Sequence, residues 1–423
     1  MRERLRSATL LTACFATLAA TFGCSSHAPP STVPQSGVGA TGTPATPAVS
    51  SLNSSLKTHL TAGGDFLKRG LLDDAEREYR LALEVDANNL DAIAGLGQVE
   101  VARGQYTEAL PHLERATRVS SQMVSAFRSL GDAYAATGNL PRAVTSYRQA
   151  VALAPGDVDM RLSLARSLTE IGEYAEARSV CNEAVRLSKG NPADLARSYA
   201  GLARAYSGEG KTPEAMAAAY KAAELAPRSA QVAKAVADCA VRGGLYAEAA
   251  TAYGKVLQLE PLDVNAKKQL AWVNFKLERY PVAIKNYEAI GDSLGTVDRY
   301  YLAQAYAKSN KVDRAVELYR EVVNTDPQNY RGVYCNMANA YYDASRYQRA
   351  IEVAREGLAG DSASACLKYC WAQALDKLGR HEEAITMFER VQDDPAYADA
   401  AKRELERQRR IVRLLKTKER GGN

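Results

Sequence analysis

Histidine is nearly absent from this chain. Its 423 residues include four, and no two are close in sequence. Imidazole metal ligation and histidine acid–base chemistry therefore have little material. Tryptophan (2) and phenylalanine (6) are also scarce. No Gly-x-Ser-x-Gly, His-Glu-x-x-His or paired-carboxylate constellation stands out. Asp and Glu are scattered mostly over helix exteriors. No enzyme, metal centre or cofactor is expected. Net charge is only +5, too small on its own to argue for nucleic acid, and none is expected as a partner. Long apolar runs are missing too. Ala8 to Phe22 spans 15 residues, short of the roughly 20 that cross a bilayer.

Against these absences stand an ordinary 46% of apolar residues, 24% of charged residues and an abundance of tyrosine (23). The N-terminus has the form of an export signal: Arg2, Arg4 and Arg6, then the apolar run. Gly23-Cys24-Ser25 follows directly. This resembles the bacterial lipoprotein signal, in which a small residue precedes a cysteine that becomes lipidated. Gly23 fits, while Thr21 and Phe22 stand where that family usually has Leu and a small residue. The alternative is an ordinary secreted protein cut near Ser26-His27-Ala28, where Pro29 makes cutting awkward. Residues 25–55 contain no Asp, Glu, Lys or Arg and are mostly Ser, Thr, Pro, Gly and Ala. Such a segment buries too little apolar surface to order itself. The expected boundaries are a signal peptide over 1–23 and a disordered tether over 24–55.

The body of the chain is periodic. Gly70, Gly104, Gly138 and Gly172 lie 34 residues apart, and Gly210 and Gly244 resume that spacing after an offset of 38. An alanine follows each glycine by five residues, and the series runs on through Ala283, Ala315, Ala350 and Ala384. There the glycine place holds Glu278, Asn310, Ser345 and Gly379. In "LGDAYAATGNLPRAVTSYRQAVALAP", Leu130 to Pro155, each half has helical spacing. Gly138 suits the end of the first helix and Pro141 the first turn of the second. Ten copies in register make this chain similar to the tetratricopeptide-repeat (TPR) family over residues 56–398. The resemblance implies an all-α fold: a right-handed α-solenoid of ten helix pairs, with a concave groove lined by each first helix. Residues 399–423 are expected to form a basic capping helix and tail, with Leu405, Val412 and Leu415 facing the last repeat. Four extra residues near 188–195 and two missing near 291–296 predict breaks in superhelical regularity. Ala82, Ala116, Ala150, Ala184 and Ala222 give way to Val256, Ile290, Val322 and Val391, which also predicts a change of curvature.

The groove carries function in the family the chain resembles. By repeat register its middle part holds Arg128, Asp132, Arg166, Arg197, Arg204, Lys234 and Asp238. From the seventh repeat it turns aromatic and amide-rich: Trp272, Phe275, Tyr300, Gln304, Asn339, Tyr342, Tyr369 and Gln373. Rings bury large area while amides pair with a bound backbone, so these residues are the expected site for a protein or peptide partner. The other reading is that the rings fill the groove's own floor or meet the capping helix. Some relatives grip a C-terminal carboxylate with Lys and Asn one turn apart. Here Trp272 follows Lys268 and Asp238 follows Lys234, so that grip is absent. "GEGKT", Gly208 to Thr212, lacks the first glycine of a phosphate loop and reads as a turn inside the fifth repeat. With Cys14 in the signal and Cys24 at the lipid site, five cysteines remain. Cys335 and Cys366 lie in adjacent repeats and either bridge or, like Cys181, Cys239 and Cys370, serve as small buried hydrophobes. Lys402 to Arg420 holds nine basic residues against three acidic. It reads as a solvated cap face or as a contact for an anionic lipid surface.

Together these features lead to the expectation of a non-enzymatic scaffold, lipid-anchored in the bacterial cell envelope. Ser25 after the cysteine implies, in that resemblance, the outer membrane facing the periplasm. TPR lipoproteins commonly serve assembly of pili, secretin channels or exopolysaccharide exporters, and pilus or secretion assembly is the first expectation. The alternative is an exopolysaccharide or cell-wall binder, with Trp272 and Tyr342 stacking on sugars.

Overall fold

The computed structural model describes residues 47–421. Cys24 and most of the expected tether lie outside that range. Among the described residues there are 21 α-helices and no strand, and the chain from Asn53 onward forms one compact unit. Ten successive pairs of helices account for the repeats. They are α1 (Pro47–Lys68) with α2 (Leu72–Val85), α3 (Leu90–Ala102) with α4 (Tyr106–Val119), and α5 (Val124–Ala136) with α6 (Leu140–Leu153). Next come α7 (Val158–Glu170) with α8 (Tyr174–Leu187), α9 (Pro192–Gly208) with α10 (Thr212–Leu225), and α11 (Ala230–Arg242) with α12 (Tyr246–Leu259). The remaining pairs are α13 (Val264–Lys276) with α14 (Tyr280–Glu288), α15 (Thr296–Lys308) with α16 (Val312–Thr325), α17 (Val333–Asp343) with α18 (Tyr347–Gly360), and α19 (Ala365–Lys377) with α20 (His381–Glu389). Helix α21 (Ala398–Gly421) follows the last pair. No described helix is long and apolar enough to cross a membrane.

The periodic residues explain the periodic shape. Every glycine of the series from Gly70 to Gly244 has positive φ, as the left-handed end of a first helix requires. The register places that lack glycine keep the same backbone. Glu278, Asn310 and Ser345 sit at φ 58°, 59° and 62°, a region disfavoured for residues with a Cβ. The alanine five residues on is fully buried in each described repeat, from Ala75 to Ala384. Side chains of Asn89, Asp157, Ser229 and Asp263 accept backbone N–H bonds and start α3, α7, α11 and α13. In the third repeat, a Cβ on Gly131 would sit 2.6 Å from Cε1 of Tyr147, so glycine there permits the closest approach of α5 and α6.

Two features differ from expectation. The tether was expected through residue 55, yet α1 is helical from Pro47. Proline suits a helix's first turn, and no glycine or proline follows until Gly63. Both predicted irregularities coincide with short 3-10 turns, Ser188–Gly190 and Gly291–Ser293. The first insertion adds a turn to α9, which has 17 residues where α5, α7 and α11 have 13, and Asn191 caps it. Buried residues on both sides of the second, Ile284, Tyr287, Leu302 and Ala303, belong to one core. In α21, Leu405 is buried and Val412 half-buried, but Leu415 is 47% exposed. Gln408 takes the inner place instead. It is fully buried, accepts from His381 Nδ1 at 2.7 Å and donates to Asp376 Oδ1 at 2.6 Å.

Candidate functional site

The first helices place the expected groove residues in two chemically different regions. In the regular part, tyrosines from second helices reach through to hold groove aspartates. Tyr147 Oη donates to Asp132 Oδ1 at 2.6 Å, and Tyr253 Oη donates to Asp238 Oδ1 at 2.7 Å. Burial and the adjacent carboxylate push both phenols well above the usual tyrosine range. Asp132 and Asp238 share one register place, six residues before the turn glycine. In the seventh repeat Trp272 occupies that place. Tyr287 is again buried, but its hydroxyl has no hydrogen-bond partner among the described residues.

From α13 onward the rings pack mainly on one another. Trp272 meets Tyr246 edge-on at 5.8 Å between centroids, and Lys276 Nζ lies 5.3 Å from its ring centre. Phe275 contacts Tyr280 and Tyr301 at 5.7 and 5.3 Å. Tyr300 is surrounded by Tyr301, Tyr319 and Tyr330, and its hydroxyl accepts from Asn336 Nδ2 at 3.0 Å. Tyr342 lies 5.5 Å from Tyr347. Tyr369 packs on Phe388 and on Tyr397, just before α21, at 5.6 and 5.0 Å. All five predicted rings are half-buried against the core.

Of the amides, Asn339 is exposed while Gln304 and Gln373 are half-buried. Gln304 and Asn339 line a pocket of about 430 Å³ with Lys308, Tyr319, Asn336 and Asp343. It lies between the first helices α15 and α17. Gln373, on α19, is half-buried and outside it. At the pocket's side, Cys335 and Cys366 are bridged, joining α17 to α19 with Cα atoms 6.0 Å apart. Asn339 Nδ2 lies 3.4 Å from Cys335 Sγ. Cys181, Cys239 and Cys370 are free and buried. Burial pushes the thiols of Cys181 and Cys370 up to about 12 and that of Cys239 up to about 11. Among the described residues no group of three His, Cys, Asp or Glu side chains is placed to hold a metal ion.

Sequence reasoning missed two determinants here. The ninth repeat has Gly357 where others have alanine, valine or isoleucine; a Cβ there would lie 2.7 Å from Tyr334 Cβ and from Leu367 Cδ1. The basic tail is also partly neutralised by the last repeat. Arg407 pairs with Asp376, Arg409 with Glu389 at 2.7 Å, and Lys416 with Glu382 at 2.8 Å.

Models of the tetratricopeptide repeat match residues 60–124, 94–158, 128–192 and 237–293, and further such models match 196–229 and 299–329. A model of anaphase-promoting complex, cyclosome, subunit 3 matches 321–391. No curated protein matches the chain. Among solved structures, a tetratricopeptide repeat protein from Parabacteroides merdae is 17% identical, with 60% of this chain and 99% of that chain covered and a TM-score of 0.49. MamA from Desulfovibrio magneticus RS-1 is 27% identical over 41% of this chain and 96% of its own, with a TM-score of 0.35. YrrB, a TPR protein with an unusual peptide-binding site, is 22% identical over 44% and 95%, with a TM-score of 0.39.

Proposed function

The chain belongs to the tetratricopeptide-repeat family, and we propose that it is a membrane-tethered, non-enzymatic scaffold. Its groove binds protein or peptide partners during assembly of a bacterial envelope machine, a pilus or secretion apparatus. The observation that carries the binding role is the amide-lined pocket of Gln304, Asn336 and Asn339, with Tyr319 in its wall and the Cys335–Cys366 bridge beside it. Side-chain amides pair with an extended backbone. The bridge also supports export, since disulfides persist in oxidising compartments. Cys24 supplies the lipid anchor to the outer membrane, facing the periplasm. The assignment to an envelope machine rests on family analogy.

Two experiments test this reading. Photo-crosslinkers at Asn339 and Tyr342 in cells should capture a component of an envelope assembly. Capture only from the N-terminal repeats overturns the groove assignment, and loss of glycan retention in Tyr342→Ala favours the polysaccharide alternative. Palmitate labelling should vanish in Cys24→Ala; persistent labelling ends the anchor.

A further inference from the structure

The groove has a second region that the aromatic one does not explain. Arg128 on α5, Arg166 on α7 and Arg204 on α9 project onto one pocket of about 290 Å³. Three adjacent first helices thus contribute one guanidinium each. Among the described residues, none of the three makes an ion pair or a side-chain hydrogen bond, unlike many arginines elsewhere in the chain. Arg103 pairs with Asp73 and Glu76, Arg178 with Glu209 at 2.8 Å, and Arg320 with Glu356 at 2.7 Å.

Nearby carboxylates fill the gap only in part. Asp159 lines the same pocket but is paired with Arg197. Asp132 and Asp238 accept from Tyr147 and Tyr253, and Asp238 offsets Arg204 electrostatically without forming an ion pair with it. Arg204 is partly buried, and desolvation together with the nearby Arg166 guanidinium holds it below the usual arginine range. Arg128 and Arg166 are exposed, but Arg166 beside the partly buried Arg204 is unfavourable without a full counter-charge. Such an arrangement favours a ligand that supplies one.

We propose that this pocket binds an acidic, extended peptide segment of a protein partner, whose side-chain carboxylates pair with Arg128, Arg166 and Arg204. Three features favour a peptide over other anions. The cations form a row across successive helices, which suits a chain rather than a single compact anion. Leu162, Ala200 and Val232 wall the pocket between them, giving apolar contact for intervening side chains. No aromatic residue lines it, so a sugar ring finds no stacking platform. The Lys and Asn grip on a terminal carboxylate is absent, so the segment need not end there.

The test is fluorescence anisotropy on the full chain with a labelled twelve-residue peptide alternating Glu and Leu. Binding should weaken with salt and fall by about tenfold or more in the double variant Arg166→Gln with Arg204→Gln. It should be unchanged in Arg148→Gln, whose side chain pairs with Glu176 on second helices. The double variant should melt no lower than the parent, because it removes a repulsion. Absence of peptide binding, binding unaffected by the double variant, or a lowered melting temperature overturns the proposal. So does equal competition by inorganic phosphate or by a uronic-acid oligosaccharide.

Discussion

Repeats one to six and repeats seven to ten solve the same packing problem with different residues. The first group turns on glycine at positive φ, whereas the second forces Glu278, Asn310 and Ser345 into that region. In the first group Tyr147 and Tyr253 anchor aspartates; in the second, Trp272 displaces the acid and leaves the Tyr287 hydroxyl alone. The first group keeps its thiols free, while the second carries the bridge. A solenoid stabilises each repeat only through its neighbours. The later repeats therefore accept local strain where ring packing and a covalent link hold them.

The largest expected effect breaks that link. Replacing Cys335 and Cys366 by Ala should destabilise repeats nine and ten by about 3 kcal/mol, since a 31-residue loop loses its closure. Hydrogen exchange should show protection lost in α17–α20 and kept in α3–α8; uniform loss would contradict the division. In the parent, iodoacetamide at pH 8 should spare Cys181, Cys239 and Cys370. Raised thiol pKa values mean little thiolate below pH 10, so labelling appears only as pH rises.

Next comes Gly131→Ala, expected to cost about 2 kcal/mol in denaturant melts because the anchored Tyr147 ring cannot retreat. Ala271 already holds a methyl at the same register place, fully buried in the seventh repeat. A third comparison should change sign between regions. Tyr253→Phe should cost about 1 kcal/mol by stripping Asp238 of its donor, while Tyr287→Phe should gain about as much by removing an unpaired buried hydroxyl. Calorimetry on both variants decides it, and equal signs would show that the missing acid is immaterial. The smallest effect is Ser345→Gly, expected to stabilise by roughly 0.5 kcal/mol, with Gly138→Ala destabilising by about 1 kcal/mol. Nothing lies within 4 Å of an added Cβ at Gly138, and Ser345→Gly gives up only the exposed 3.3 Å hydrogen bond that Tyr347 Oη donates to Ser345 Oγ.

Much of this architecture was legible because period and register are local properties. The spacing of glycine and alanine located all ten pairs, and it correctly assigned Glu278, Asn310 and Ser345 to turns despite their side chains. What escaped depends on contacts between distant parts. Whether Trp272 or Tyr300 faces outward is decided by neighbouring rings, here Tyr246 and Tyr330, and repeat register carries no such information. The burial of Gln408 depends on how α21 crosses α20, which places His381 and Asp376 beside it. The unpaired state of Arg166 and Arg204 was likewise invisible, because it follows from which acids are already bonded. The nine extra residues of α1 were missed because a segment without charge was read as coil.

The Cys335–Cys366 link has a mechanical consequence. A stack of helix pairs behaves under tension as a soft spring that peels one coil at a time. A covalent rung between α17 and α19 removes one coil from that spring. Extension is then taken up by the coils before it, including the step from α15 to α17 that holds the amide pocket, while α17 and α19 stay together.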